Sequence, residues 1–211
     1  MKKTLAVVMA FVLVIAMSVA GTFAYLTAET GKVTNTFTAG KILDDPKNDF
    51  KLEEHGVVAN DDGTYKQGEN IVTEVSYTVK PGVNLPKDPF VTVKNSDIAY
   101  LFITVEDKLP TGLSWNVDSA WEKLMDGEEQ VMLNGKPVWV WKSAEGGNVL
   151  AAQEAPLTVN VIANKTITVP GDFNVETMTD NTLSFQAYLA QASGVASALE
   201  AWNANFVPKA A

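Results

Sequence analysis

The chain has 211 residues, a formal net charge of −9 and no cysteine. Its length suffices for one domain with a sizeable core plus a targeting segment. The acid excess argues against nucleic acid as a partner and against a polybasic anchor on anionic lipid. Without thiols, disulfides, thiolate metal sites and cysteine nucleophiles are excluded.

Lys2 and Lys3 precede an almost unbroken apolar run over residues 5–20, the layout of a secretory signal. Small residues offer cleavage after Ala20, in Ser18-Val19-Ala20, or after Ala24, in Thr22-Phe23-Ala24. The alternative is a retained transmembrane anchor, for which the run is short against the usual span of about 20 residues. Val33, Asn35 and Phe37 then alternate with Thr34, Thr36 and Thr38, the period of a strand.

Residues 44–49 form a charged loop broken by Pro46. Val57-Val58 and Thr64-Tyr65 flank Asn60-Asp61-Asp62-Gly63, a hairpin signal. Residues 72–79 alternate as a strand, with Thr73, Val75, Tyr77 and Val79 on one face, and Pro81-Gly82 ends them. Residues 90–94 and 100–106 read as strands turned at Asn95-Ser96-Asp97. Leu113, Trp115 and Val117 alternate, and the capping-box spacing of Ser119-Ala120-Trp121-Glu122 predicts one or two helical turns over 120–125. Asn134-Gly135 joins two short strands, 131–133 and 138–141, and Gly146-Gly147 marks another turn. Further strands follow at 157–162, 166–169 and 183–189. Val195, Leu199, Trp202 and Phe206 share one helical stripe, stopped by Pro208.

These elements predict an all-β fold, an antiparallel two-sheet sandwich of jelly-roll or immunoglobulin-like type with a short C-terminal helix. The division is a signal peptide at 1–24, a mature N-terminal segment at 25–40, a β domain at 41–192 and an amphipathic helix with its tail at 193–211.

Two stretches at the export junction are distinctive: Gly21-Thr22-Phe23-Ala24-Tyr25-Leu26-Thr27 and Asn35-Thr36-Phe37-Thr38-Ala39-Gly40. Together they resemble the camelysin/TasA group of exported bacterial proteins. Lys80-Pro81-Gly82 with residues 90–100, and residues 185–192, are similar to that group's internal and closing segments. Leu26-Thr27 departs from the group's usual Phe-Ser or Phe-Asn, and residues 108–180 match nothing in its pattern. The resemblance implies a SipW-type signal peptidase cutting after Ala24, with Thr22, Ala24 and Tyr25 framing the cut. It implies contact with the membrane only as precursor, then secretion to the cell surface or biofilm matrix of a Gram-positive-type bacterium. It further implies self-association into fibres, in which residues 33–39 add as a donor strand to the next subunit through Val33, Asn35 and Phe37. The competing expectation is that this segment is the first strand of its own domain.

The same group includes camelysin-type metalloproteases, so a secreted metalloprotease is one alternative. A hydrolytic zinc site needs three protein ligands, usually two of them histidine. This chain has one histidine, His55, and no His-Glu-x-x-His. His55 reads as an exposed loop residue. Asp44, Asp45, Asn48 and Asp49, and separately Asp61 and Asp62, are oxygen-rich clusters of the kind Ca²⁺ takes, without the EF-hand pattern. Asp44, Asp45, Asp49 and His55 are thus weak metal candidates, and a solvated acidic loop is the plainer reading. No Gly-x-Ser-x-Gly and no phosphate-cradling glycine loop is present. The residues therefore lean against an enzyme. Trp115, Trp139 and Trp141 are either core or a sugar-stacking platform, and the platform would make the protein a ligand-binding adhesion domain.

Overall fold

The computed structural model describes residues 27–30, 35–37, 42–178 and 181–207. In chain order the strands are β1 (Thr27–Thr30) and β2 (Asn35–Phe37), then, after helix α1 (Pro46–Asp49), β3 (Phe50–Ala59), β4 (Tyr65–Val72), β5 (Leu85–Pro86), β6 (Phe90–Val93) and β7 (Ala99–Asp107). Next come β8 (Trp121–Lys123), β9 (Met125–Asp126), β10 (Glu129–Gln130), β11 (Met132–Leu133), β12 (Lys136–Trp141) and β13 (Val149–Leu150). β14 (Leu157–Asn160), β15 (Thr166–Ile167), β16 (Leu183–Gln191) and helix α2 (Ala198–Asn205) complete the described chain. The fold is mostly β, its ladders are antiparallel, and one short helix follows the last strand, as the sequence predicts.

The largest sheet runs β11-β12-β7-β16-β1-β2, with β13 also on β7 and β8 also on β12. Its centre is β7, paired along its full length with β16, from Leu183↔Asp107 to Gln191↔Ala99. A strand in that position loses solvent on both faces, which is why its sequence is a nearly continuous apolar run. Leu101 and Ile103 face one core, shared with Ala187 and Leu189 of β16. Tyr100 and Phe102 face another, shared with Tyr188 and Ala190.

A second sheet has the order β14-β6-β3-β4. It sends Phe50, Val91, Val93 and Val159 into the same cluster as Leu101 and Ile103, so one continuous apolar core joins the two sheets. Asn95 lies just beyond β6 and is fully buried. Its side-chain amide donates to the carbonyls of Asp97, at 2.7 Å, and Ala151, at 2.9 Å, tying the turn to the chain beyond β13.

The other face of the large sheet is covered by α2. Ser197 caps it by accepting the Glu200 N–H at 3.1 Å, while Glu200 reaches back to the Ala196 N–H at 2.9 Å. The predicted stripe places Trp202 at the centre of that face. Its ring lies 5.1 Å from Phe102, 5.2 Å from Tyr188 and 4.8 Å from Phe206.

Several expectations need correction. Residues 120–125 are not helical: Trp121–Lys123 pairs with the free edge of β12, in the register Trp141↔Trp121. Asp118 accepts the Ala120 N–H at 2.9 Å and closes the turn that the capping box was expected to open as a helix. Residues 73–79 carry the predicted alternation, with Val75, Tyr77 and Val79 half-buried between exposed neighbours, but they join no ladder. Their main chain is held by a side chain instead, as the Thr78 N–H donates to the Tyr65 hydroxyl at 2.7 Å. Residues 113–117 make single bridges, Ser114↔Thr168 and Val117↔Ile162, rather than a strand. The 44–49 loop contains one helical turn, with Pro46 at its start. The two hairpin turns stand where predicted; Asn134 and Gly135 have φ of 51° and 80°, as a type I′ turn requires.

Candidate functional site

Three places gather chemically useful groups. The first is a polar cluster where β3 meets the segment after β5. Glu54 and His55 are consecutive on β3, and Lys87 and Asp88 are consecutive between Pro86 and Pro89. Lys87 pairs with Glu54, and His55 Nδ1 lies 2.7 Å from Asp88 Oδ2. Asp88 also accepts the His55 backbone N–H at 3.1 Å and the Gln67 side-chain amide at 2.7 Å. Tyr77 donates its hydroxyl to the Pro86 carbonyl. Burial, and then the negative charges of Glu54 and Asp88, push the Tyr77 phenol well above its ordinary range. His55 is therefore not an exposed loop residue. It is a half-buried strand residue with a carboxylate partner and the Phe90 ring 5.4 Å away. The cluster clamps the β3–β4 hairpin to β5 and β6, with its carboxylates already bonded to protein donors.

The second place is a groove of about 410 Å³ at the β7–β12 end of the large sheet, lined by Trp115, Val117, Glu106, Asp107, Lys136 and Trp139 among others. Trp139 is half-buried and packs against the apolar cluster that holds Leu101, Ile103 and Phe50, held in the ladder opposite Ile103 and Lys123. Trp115 reaches the groove from the 113–117 segment. Its indole N–H donates to Asp107 at 2.8 Å and its ring meets Phe185 edge-on at 5.6 Å. Glu106 sits between Lys108, at 2.7 Å, and Lys136, at 2.9 Å. Hydrogen bonds from these two ammonium groups hold its carboxyl at about 2. Of the three tryptophans singled out from the sequence, Trp115 and Trp139 share this groove, whereas Trp141 packs on the core without lining it.

The third place is the far end of the same sheet. β1 lies antiparallel on β16, in the register Thr27↔Ala190, Ala28↔Leu189 and Glu29↔Tyr188. β2 lies outside β1, in the register Ala28↔Phe37, Glu29↔Thr36 and Thr30↔Asn35. Asn35 and Phe37 of the expected donor strand are therefore part of a hairpin on the chain's own sheet. Val33 lies outside the described residues, as do the signal-cleavage residues Thr22, Ala24 and Tyr25.

The oxygen-rich candidates are engaged locally. Asp49 accepts the Asp45 N–H at 2.6 Å, and Asp45 accepts the Asn48 amide at 2.6 Å, so these groups stabilise the α1 turn. Asp44 is exposed beside them. Asp62 accepts the Thr64 N–H at 2.8 Å and the Thr64 hydroxyl at 2.6 Å, closing the β3–β4 hairpin. Those bonds hold its carboxyl below the usual range. Among the described residues, no three His, Asp or Glu side chains converge as a metal-holding group, and His55 pairs with Asp88 rather than joining the acidic loop. No helix among the described residues is long and apolar enough to cross a membrane.

Sequence reasoning missed Lys87, Asp88 and Gln67, and did not single out Glu106 and Asp107. The available signal was charge complementarity: a Glu-His pair on one strand and a Lys-Asp pair held between two prolines. The chain matches no protein-family model, no curated protein and no solved structure.

Proposed function

We propose that this is an exported structural protein of a bacterial cell surface or biofilm matrix, of camelysin/TasA type, which assembles by exchanging its N-terminal strands between copies. The observation that carries this reading is the position of β1, laid on β16 with β2 outside it. A ladder of this kind is made by main-chain groups, so the same edge accepts an equivalent strand from another copy. Processing after Ala24 by a SipW-type peptidase would start the mature chain at Tyr25, two residues before β1, and release the hairpin from its membrane-held leader. The two sheets are read as the layers of an antiparallel sandwich because one apolar cluster is built from both. The family reading gains support from the places of its motif residues: Pro81-Gly82 turns the chain, with Gly82 at a φ of 76°, and Asn95 is a buried tie after β6.

The test is electron microscopy of purified protein beginning at Tyr25, with its N-terminus established by mass spectrometry, beside a chain lacking residues 25–38. Filaments from the first and none from the second are expected. Filaments from both at the same protein concentration would remove the strand-exchange reading.

A further inference from the structure

The groove between Trp115 and Trp139 has a composition that selects one ligand chemistry. Two indoles and Val117 give it apolar surface, and Glu106, Asp107, Lys108 and Lys136 give it a polar rim. The rim holds two carboxylates and two ammonium groups, so its charge is balanced. A balanced rim gives no net attraction to an ionic ligand, and the chain's net charge of −9 opposes an anionic one. A purely apolar ligand would strip water from the rim's ion pairs, which is costly. The remaining class carries an apolar face and a hydroxyl edge on one rigid ring.

We propose that this groove binds neutral pyranose oligosaccharides, with sugar rings stacked on Trp115 and Trp139 and hydroxyls bonded to Asp107, Glu106 and Lys136. The volume, about 410 Å³, lies in the range of small-molecule clefts, about 300–1,000 Å³. The stacking surfaces are fixed before any ligand arrives. The Trp115 indole is oriented by its bond to Asp107 and by the Phe185 edge, and Trp139 by strands on both sides of β12. Asp107 spends one oxygen on the Leu109 N–H and the other on the Trp115 indole, each at hydrogen-bond distance. Each oxygen keeps a further lone pair for a sugar hydroxyl. Prefixed groups lose little freedom on binding, which favours affinity for small ligands. The groove lies at β12, on the opposite side of β7 from β16 and β1. Ligand binding and strand exchange are therefore separable on one subunit, and the failure of either leaves the other standing.

The test is a titration of the intact folded protein, followed through its tryptophan indole N–H signals by NMR, with a panel of neutral tri-glucosides, tri-galactosides and tri-mannosides. The five tryptophans give five reporters. Trp115 and Trp139 should shift with at least one sugar, while Trp202, buried between α2 and the large sheet, should not. Trp139→Ala, and independently Asp107→Ala, should weaken the responding sugar about tenfold. Because Trp139→Ala can disturb the core, the wild-type titration and the exposed Asp107 variant carry the decision. No shift at Trp115 or Trp139 with any sugar of the panel overturns the proposal. So does undiminished binding by Asp107→Ala, or shifts that follow protein concentration alone, which would make the groove a contact between copies.

Discussion

Lys87 holds Glu54 with its ammonium 2.8 Å from one carboxylate oxygen and 2.7 Å from the other, and both side chains are nearly sealed from solvent. Oε1 accepts a hydrogen bond from the ammonium, whereas Oε2 lies as close without hydrogen-bond geometry. The pair is thus a charge contact whose partners depend on each other. Removing one charge leaves the other buried and uncompensated, at a cost of about 3–5 kcal/mol. Lys87→Met should lower the unfolding free energy measured in urea by that order, and Glu54→Leu combined with Lys87→Met should recover most of it. A double variant no more stable than the single one would contradict this account of the clamp.

Trp202 tests how α2 is attached. Truncating a fully buried tryptophan costs about 3–5 kcal/mol. Its indole N–H is buried and has no hydrogen-bond partner among the described residues. Trp202→Phe keeps most of the packing against Phe102 and Tyr188 and deletes that unpaired donor. Thermal unfolding should therefore show a large loss for Trp202→Ala and a much smaller one for Trp202→Phe.

Stability should fall at both ends of the pH scale for identifiable reasons. The Gln191 amide, then the Ile98 N–H and the Ser193 hydroxyl, hold the Asp97 carboxyl below the usual range. Lys108 and Lys136 hold Glu106 at about 2. A lowered folded pKa gives stability that is full above the unfolded carboxylate range, about 4, and is lost as pH falls through the folded value. The urea midpoint should thus drop as pH falls from about 5 towards 2, and the deficit of Asp97→Asn should shrink over the same interval. Tyr77 has the opposite sign. Its raised phenol pKa gives stability present below about pH 10 and lost above it, as the unfolded phenol ionises first. Tyr77→Phe should flatten that alkaline loss.

The sequence reveals elements whose signals are local. Leu101, Ile103 and Val105 announce β7, Asn134-Gly135 fixes a turn by its own backbone preference, and the Val195 to Phe206 spacing finds the covered face of α2. Partner identity is not local. Val75, Tyr77 and Val79 alternate in burial, yet nothing in the sequence says that Tyr65 will hold this stretch in place of a neighbouring strand. Trp121 stands in a helix-start pattern, and the exposed edge of β12 takes it into a ladder instead. The Trp115–Trp139 groove was legible only as residue type: their shared surface depends on the 113–117 segment crossing near β12. The Glu54–Lys87 and His55–Asp88 pairs join residues 33 positions apart, a separation that no pattern along the chain encodes.

Strand exchange along β16 would place residues of two chains opposite one another, and cross-linking reads this. Thr27 and Ala190 are opposite one another in the β1–β16 ladder, and the chain has no cysteine of its own. One preparation would carry Thr27→Cys and the other Ala190→Cys, mixed under assembling conditions and oxidised. A disulfide-linked dimer containing one chain of each kind, formed at the rate at which filaments appear, is the expected result. Filaments that form without that mixed dimer, while the Thr27→Cys/Ala190→Cys double variant closes only within single chains, would contradict it.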